Sequence, residues 1–187
     1  MSVQMRFTSR DLESMPDDGK RYEIVDGELI ASKQPHYYHQ RVCSNLCFVL
    51  ESWIRGTGSG QVSIAPGLIF ADDDDVAPDI VWLSTARLSA VLSEDGKLHA
   101  APELVVEVLS PGANYRDREA KLKLYSRRGV DEYWIVDWKL RRMEIYRRER
   151  TPLELAVTLQ EGDEILSPLL PCFRAPLESI FNGLSSN

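Results

Sequence analysis

The run Leu104-Val105-Val106-Glu107-Val108-Leu109 constrains the fold more than any other part of the chain. It is rich in β-branched residues and apolar at every position but one, the pattern of a central strand buried on both faces. Residues 117–128 read as a helix closed by Gly129, and Tyr133-Trp134-Ile135-Val136 reads as a second buried strand. The order strand–helix–strand between 104 and 136 predicts a βαβ-like unit and an α/β class with a mixed sheet. Glu107 is the exception within the run. An isolated carboxylate in such a strand must be neutral, paired with a cation or bound to metal.

The remaining segments fit around that unit. Thr8, with Asp11 three residues on, predicts a short N-terminal helix that Pro16-Asp17-Asp18-Gly19 stops. Asp26-Gly27 between Tyr22-Glu23-Ile24-Val25 and Glu28-Leu29-Ile30-Ala31 predicts a β-hairpin. From His36 to Arg55, Val42, Leu46, Val49, Leu50 and Trp53 recur at helical spacing, and Gly56 is expected to end that helix. Gln61 to Phe70 is extended apart from Pro66-Gly67, Ile80–Leu83 is a short apolar strand, 84–101 is a helix or loop excursion, and Met143–Tyr146 is a strand nearer an edge. Asp72-Asp73-Asp74-Asp75 lacks the glycine and terminal glutamate of an EF-hand and reads as a solvated loop. At 187 residues the chain is expected to form one domain, 1–187, with 1–35 as a helix-and-hairpin embellishment.

Composition narrows the function classes. No apolar run approaches the ~20 residues of a membrane span, and the first residues lack the apolar core of a secretory signal. Cys43, Cys47 and Cys172 form no CxxC pair and predict reduced thiols in a cytoplasmic protein. A net charge of −7 repels polyanions, yet residues 111–150 carry twelve Lys and Arg against seven Asp and Glu. That stretch is either a solvated face or a track for phosphates, with Arg116, Arg118, Lys123, Arg127 and Arg128 as its candidates. Ser110 has no G-x-S-x-G elbow around it, which argues against a serine hydrolase.

Four side chains stand out as candidates for chemistry. Asp79, directly after Pro78, opens the Ile80–Leu83 strand, where an acid can serve turn chemistry. Glu107 can pair with a buried arginine; together, Asp79 and Glu107 suggest a hard-metal site of oxygen ligands. With Ala120 at zero and ~100° per residue, Lys121 falls inside the apolar arc of its helix and Lys123 points to solvent. Lys121 is then a snorkelling lysine, a partner of Asp117 one turn earlier, or a cation held over the sheet toward the carboxylates. His39 shares heptad spacing with Leu46 and Trp53 and so faces the core, as a structural histidine or a contact for phosphate or water. Glu28 reads as a solvated hairpin acid.

Pro78-Asp79, Glu107 within Val-Glu-Val-Leu-Ser-Pro, Asp117…Lys121…Tyr125 and Gly129-Val130-Asp131-Glu132-Tyr133-Trp134-Ile135-Val136-Asp137 resemble the Uma family of endonucleases, in the PD-(D/E)XK, restriction-endonuclease-like superfamily. Tyr22–Leu29 and Ser167-Pro168-Leu169-Leu170-Pro171 also resemble it, so the likeness runs from about Tyr22 to Phe181. The resemblance implies a restriction-endonuclease-like mixed central sheet flanked by helices, with an N-terminal helix and hairpin. It implies Mg²⁺ or Mn²⁺ on Asp79 and Glu107, Lys121 and His39 as further catalytic candidates, and hydrolysis of phosphodiester bonds in nucleic acid, namely DNA. The superfamily's usual lysine, two residues after the acid, is Leu109 here; Lys121 on the next helix takes its place in the Uma pattern. A nuclease-fold module that binds nucleic acid without catalysis is the alternative. Cleavage of both strands would imply a homodimer.

Overall fold

A computed structural model describes residues 6–110 and 115–185. The side chain of Arg116, one of the phosphate-track candidates, lies outside the described residues. The central feature is a six-stranded sheet in the order β10-β9-β8-β7-β6-β3. Its strands are β3 (Gln61–Ile64), β6 (Ile80–Leu83), β7 (Leu104–Val108), β8 (Glu132–Asp137), β9 (Arg142–Arg147) and β10 (Glu154–Gln160). Only β7 and β8 run parallel; the other pairs are antiparallel, so the sheet is mixed as expected. All five residues of β7 are buried.

The alternation of side chains along these strands makes two cores. On one face Ile80, Leu104, Val106 and Trp134 pack against Val42, Leu46 and Leu50 of helix α2 (Tyr37–Thr57). On the other, Val81, Val105 and Tyr133 meet Leu124 and Tyr125 of helix α4 (Tyr115–Arg128). That second face also carries a four-stranded sheet, β2-β1-β5-β4, formed by β1 (Arg21–Val25), β2 (Glu28–Ser32), β4 (Leu68–Ala71) and β5 (Asp74–Val76). Short helices α1 (Ser9–Glu13) and α3 (Thr85–Val91), a small β11–β12 pair (Glu164–Leu166, Arg174–Pro176) and a 3-10 helix (Leu177–Phe181) complete the described elements. No described helix is long and apolar enough to cross a membrane.

Local chemistry explains the element ends. Asp26 and Gly27 have φ of 54° and 72°, the left-handed pair that a two-residue hairpin turn requires. Helix α2 begins where the His36 ring accepts a hydrogen bond from the Tyr38 amide at 3.1 Å, and His36 stacks on Trp138. It does not end at Gly56. An interior glycine costs only ~1 kcal/mol, whereas Gly58, at φ 69°, provides the left-handed cap and donates its N–H to the Ile54 carbonyl.

The acidic run departs further from expectation. Asp74 and Asp75 belong to strand β5 and are buried, with Asp74 fully enclosed. Asp74 accepts hydrogen bonds from Arg127 at 2.8 Å, from Arg128 at 2.9 Å and from the Asp26 amide at 2.8 Å. These bonds outweigh the cost of burial and hold its carboxyl below the ordinary range. Asp74 therefore fastens the end of α4 to the hairpin turn. Asp74→Ala should destabilise the protein by roughly 2–4 kcal/mol, the low side of what removing a partner from a buried ion pair costs, because both arginines retain access to water. Asp73→Asn, which touches only the exposed Arg6–Asp73 pair and Arg128 at 3.8 Å, should cost less than about 1 kcal/mol. Chemical denaturation of the two variants measures the difference.

Candidate active site

The register of β6 against β7 brings the first two candidates together. Ile80 pairs with Val106 in an antiparallel ladder, so the next step outward sets Asp79 opposite Glu107. Directly opposed residues of such a pair point to the same side of the sheet. Both line one cleft of about 210 Å³, together with Arg21, Glu23, His39, Arg118 and Lys121. Asp79 is fixed by the Val108 backbone, which donates its N–H to Oδ2 at 2.8 Å. Its Oδ1 lies 3.5 Å from an Arg21 guanidinium nitrogen and 3.4 Å from His39 Nε2.

Lys121 reaches the same point from α4. Its Nζ donates to Glu107 Oε1 at 2.8 Å and lies 3.1 Å from Glu23 Oε2. Tyr125, one turn further along, donates its hydroxyl to the same Glu107 oxygen at 2.8 Å. The facing expected from the helical arc is the one observed: Lys121 is largely enclosed and Lys123 is exposed. Of the readings left open for Lys121, the structure realises the cation over the sheet. Leu109 follows the last residue of β7, and the Lys121 ammonium stands beside Glu107.

Glu23 was not singled out in the sequence. It sits in β1 with 3% exposure, accepts the Ala77 amide at 2.8 Å and gives the site a third buried carboxylate. The available signal was strand alternation, which puts Glu23 on the same hairpin face as Arg21 and the buried Val25. Arg21 was missed for the same reason. Glu28 is exposed on β2, as expected.

The basic stretch does not form a free phosphate track among the described residues. Arg127 and Arg128 are held by Asp74, Arg118 pairs with Glu144 and Tyr146, and Arg147 pairs with Glu132. Arg148 donates to the carbonyls of Val130 and Ser126. Most of the positive surplus is absorbed by internal carboxylates and helix-end carbonyls, which a count along the chain does not reveal. Lys123 remains exposed, and Arg118 keeps one side on the cleft.

Burial and charge set the protonation of this cluster. Burial pushes the Glu107 carboxyl up; Lys121 opposes the shift, the Asp79 and Glu23 carboxylates add to it, and the result is about 7. Asp79 is also penalised by burial, but His39, the Val108 amide and Arg21 together hold it below the ordinary range. For Lys121, burial disfavours the ammonium, and Glu107 and Glu23 more than compensate, raising its pKa. Three buried carboxylates thus crowd around the Lys121 ammonium and the Arg21 guanidinium, and the donor set of oxygens fits a hard divalent cation.

This predicts a pH dependence for the metal-free protein. Glu107 holds its proton more tightly folded, at about 7, than unfolded, near its ordinary 4.5. Its stabilising contribution is therefore complete below the unfolded value and is lost as pH rises through about 7. Thermal unfolding of the metal-free chain should show a Tm that falls across this window, and Glu107→Gln should flatten the decline. An unchanged slope in the variant would contradict the assignment.

Comparison with known proteins bears on the fold and the family. No curated protein matches the chain in sequence. A crystal structure described as a putative nuclease belonging to DUF820, from Anabaena variabilis ATCC 29413, superposes with a TM-score of 0.76 at 18% identity, covering 94% of this chain and 97% of that one. At that identity the likeness speaks for the fold, a mixed α/β nuclease fold. The profile of the Uma2 family, described as "Putative restriction endonuclease", matches residues 9–178. With nearly the whole sequence inside that match, the chain belongs to the Uma2 family.

Proposed function

We propose that the protein is a metal-dependent endonuclease that hydrolyses phosphodiester bonds in DNA, with Asp79, Glu107 and Lys121 as its catalytic centre. The observation that carries this reading is the convergence, in one cleft, of three buried carboxylates and a largely enclosed lysine supplied by different elements. Asp79 and Glu107 would hold Mg²⁺ or Mn²⁺. When bound, such an ion acidifies a water and offsets the charge that develops on the phosphoryl oxygens.

The protein's own groups have distinct tasks. The Val108 amide and the Tyr125 hydroxyl fix the orientation of the two carboxylates. Lys121, held in its charged form, donates to a non-bridging phosphate oxygen or to the attacking water and stabilises the transition state electrostatically. Arg21 and Arg118 line the cleft and supply positive charge for the flanking phosphates. His39 holds Asp79 from the α2 side. Both sheets act here as one nuclease domain, and a homodimer would present two such clefts to the two strands of a duplex. Free Cys43, Cys47 and Cys172 suit a reducing cytoplasm.

Single- and double-stranded DNA and RNA, incubated with Mg²⁺ or Mn²⁺, provide the test. Cleavage of DNA should require the divalent ion and vanish in Asp79→Asn and Glu107→Gln. Lys121→Met should reduce the rate by about 10²–10³, as expected for loss of a transition-state contact, while Lys123→Met should leave it nearly unchanged. Metal-dependent binding of DNA without cleavage of any substrate would favour the non-catalytic module. Equal rates for the two lysine variants would remove Lys121 from the mechanism.

A further inference from the structure

Asp79 has a second set of neighbours, on helix α2. His39 and Cys43 are four residues apart on α2 and so share one helix face. One ligand atom from each of His39, Cys43 and Asp79 lies within 4.8 Å of the others, and all three residues are buried. We propose that these residues form a soft cation site, distinct from the oxygen site of Asp79 and Glu107, that takes Zn²⁺ or another thiophilic divalent transition metal.

Three observations support the site. First, the 3.4 Å between His39 Nε2 and Asp79 Oδ1 is long for a strong hydrogen bond. It is close to the roughly 3.3 Å that separates two ligand atoms bound ~2.0 Å from a tetrahedral zinc. Second, His39 Nδ1 is buried and finds no hydrogen-bond partner among the described residues, although the ring is 95% enclosed (5% exposed). The two ring nitrogens are alternatives: a cation on Nε2 uses the 3.4 Å spacing to Asp79, and a cation on Nδ1 supplies that atom's missing partner. Third, nitrogen, sulfur and carboxylate oxygen form a donor set that favours zinc-like ions over Mg²⁺, which prefers oxygen alone. His39 and Asp79 also line the cleft, which gives a cation its route to the site. Binding replaces the Cys43 thiol proton, which passes to solvent, with the metal–sulfur bond.

One consequence rests on the nuclease reading. Asp79 is common to both sites, so zinc drawn toward His39 and Cys43 competes for the carboxylate that Mg²⁺ needs. The soft site would then act as a brake on cleavage. Binding itself stands apart from that reading and can be measured without substrate.

The full-length, metal-free chain titrated with Co²⁺ should take up one equivalent with a sulfur-to-cobalt charge-transfer band. Cys43→Ser should abolish the band, and His39→Ala should weaken binding by about tenfold or more. Cys47→Ser and Cys172→Ser should retain the band. Glu107→Gln should retain it as well while losing Mg²⁺ binding, which separates failure of this proposal from failure of the nuclease reading. On the unsubstituted protein, zinc-edge X-ray absorption should show one sulfur at about 2.3 Å, a readout independent of how the variants fold. A zinc shell without sulfur, a band that survives Cys43→Ser, or one that disappears with Cys172→Ser would overturn the proposal.

Discussion

The site depends on one electrostatic demand. A carboxylate placed in a strand enclosed on both faces needs a positive partner close by, and Glu107 finds it in Lys121 at 2.8 Å. That requirement determines which face α4 presents to the sheet. It also determines where the hairpin must lie, because Glu23 closes on the same ammonium from the four-stranded sheet. The apolar contacts around Leu124, Tyr125 and Tyr133 contribute most of the burial free energy at this junction, but they would tolerate rotations of the helix that the ion pair does not. Non-directional packing holds the layers together, and the directional charge contacts select their register.

Much of this arrangement was legible in the sequence, for identifiable reasons. The β-branched run announced β7, and Asp-Gly announced the hairpin. Facing angles along α4 chose Lys121 over Lys123 because helical geometry is a local property. What escaped notice depends on distant residues. Glu23 reads as an ordinary acid in a hairpin until β1 is seen to pair with β5. Asp74 reads as part of a solvated acidic loop until Arg127 and Arg128, 53 and 54 positions away, are placed on it. The same contacts explain why a basic stretch that looked available for phosphates is largely occupied: its charges have internal partners that only the tertiary fold supplies.

The placement of the lysine on the helix also has a structural meaning. The six-stranded sheet contributes the Asp79 and Glu107 carboxylates to the cleft, and the nearest cations among the described residues, Lys121 and Arg21, come from α4 and β1. Asp79 is the meeting point of those contributions, touched by Arg21 from one layer and His39 from the other. Its position at the end of β6, before the ladder is fully formed, lets groups from both faces of the sheet reach one carboxylate.

The hairpin's share in the cleft has a consequence in time as well as in space. Glu23 and Lys121 are 98 residues apart in the chain, and neither the early β1–β2 unit nor the later strand–helix–strand unit holds the complete set of charges. Contacts of such long sequence separation form late, after the entropy of closing a large loop has been overcome. A nascent or clipped chain lacking α4 therefore presents carboxylates without their cation, and a chain lacking the hairpin presents a cation with one acid missing. The complete set of cleft charges therefore exists only in the finished fold, because its members come from both ends of the chain.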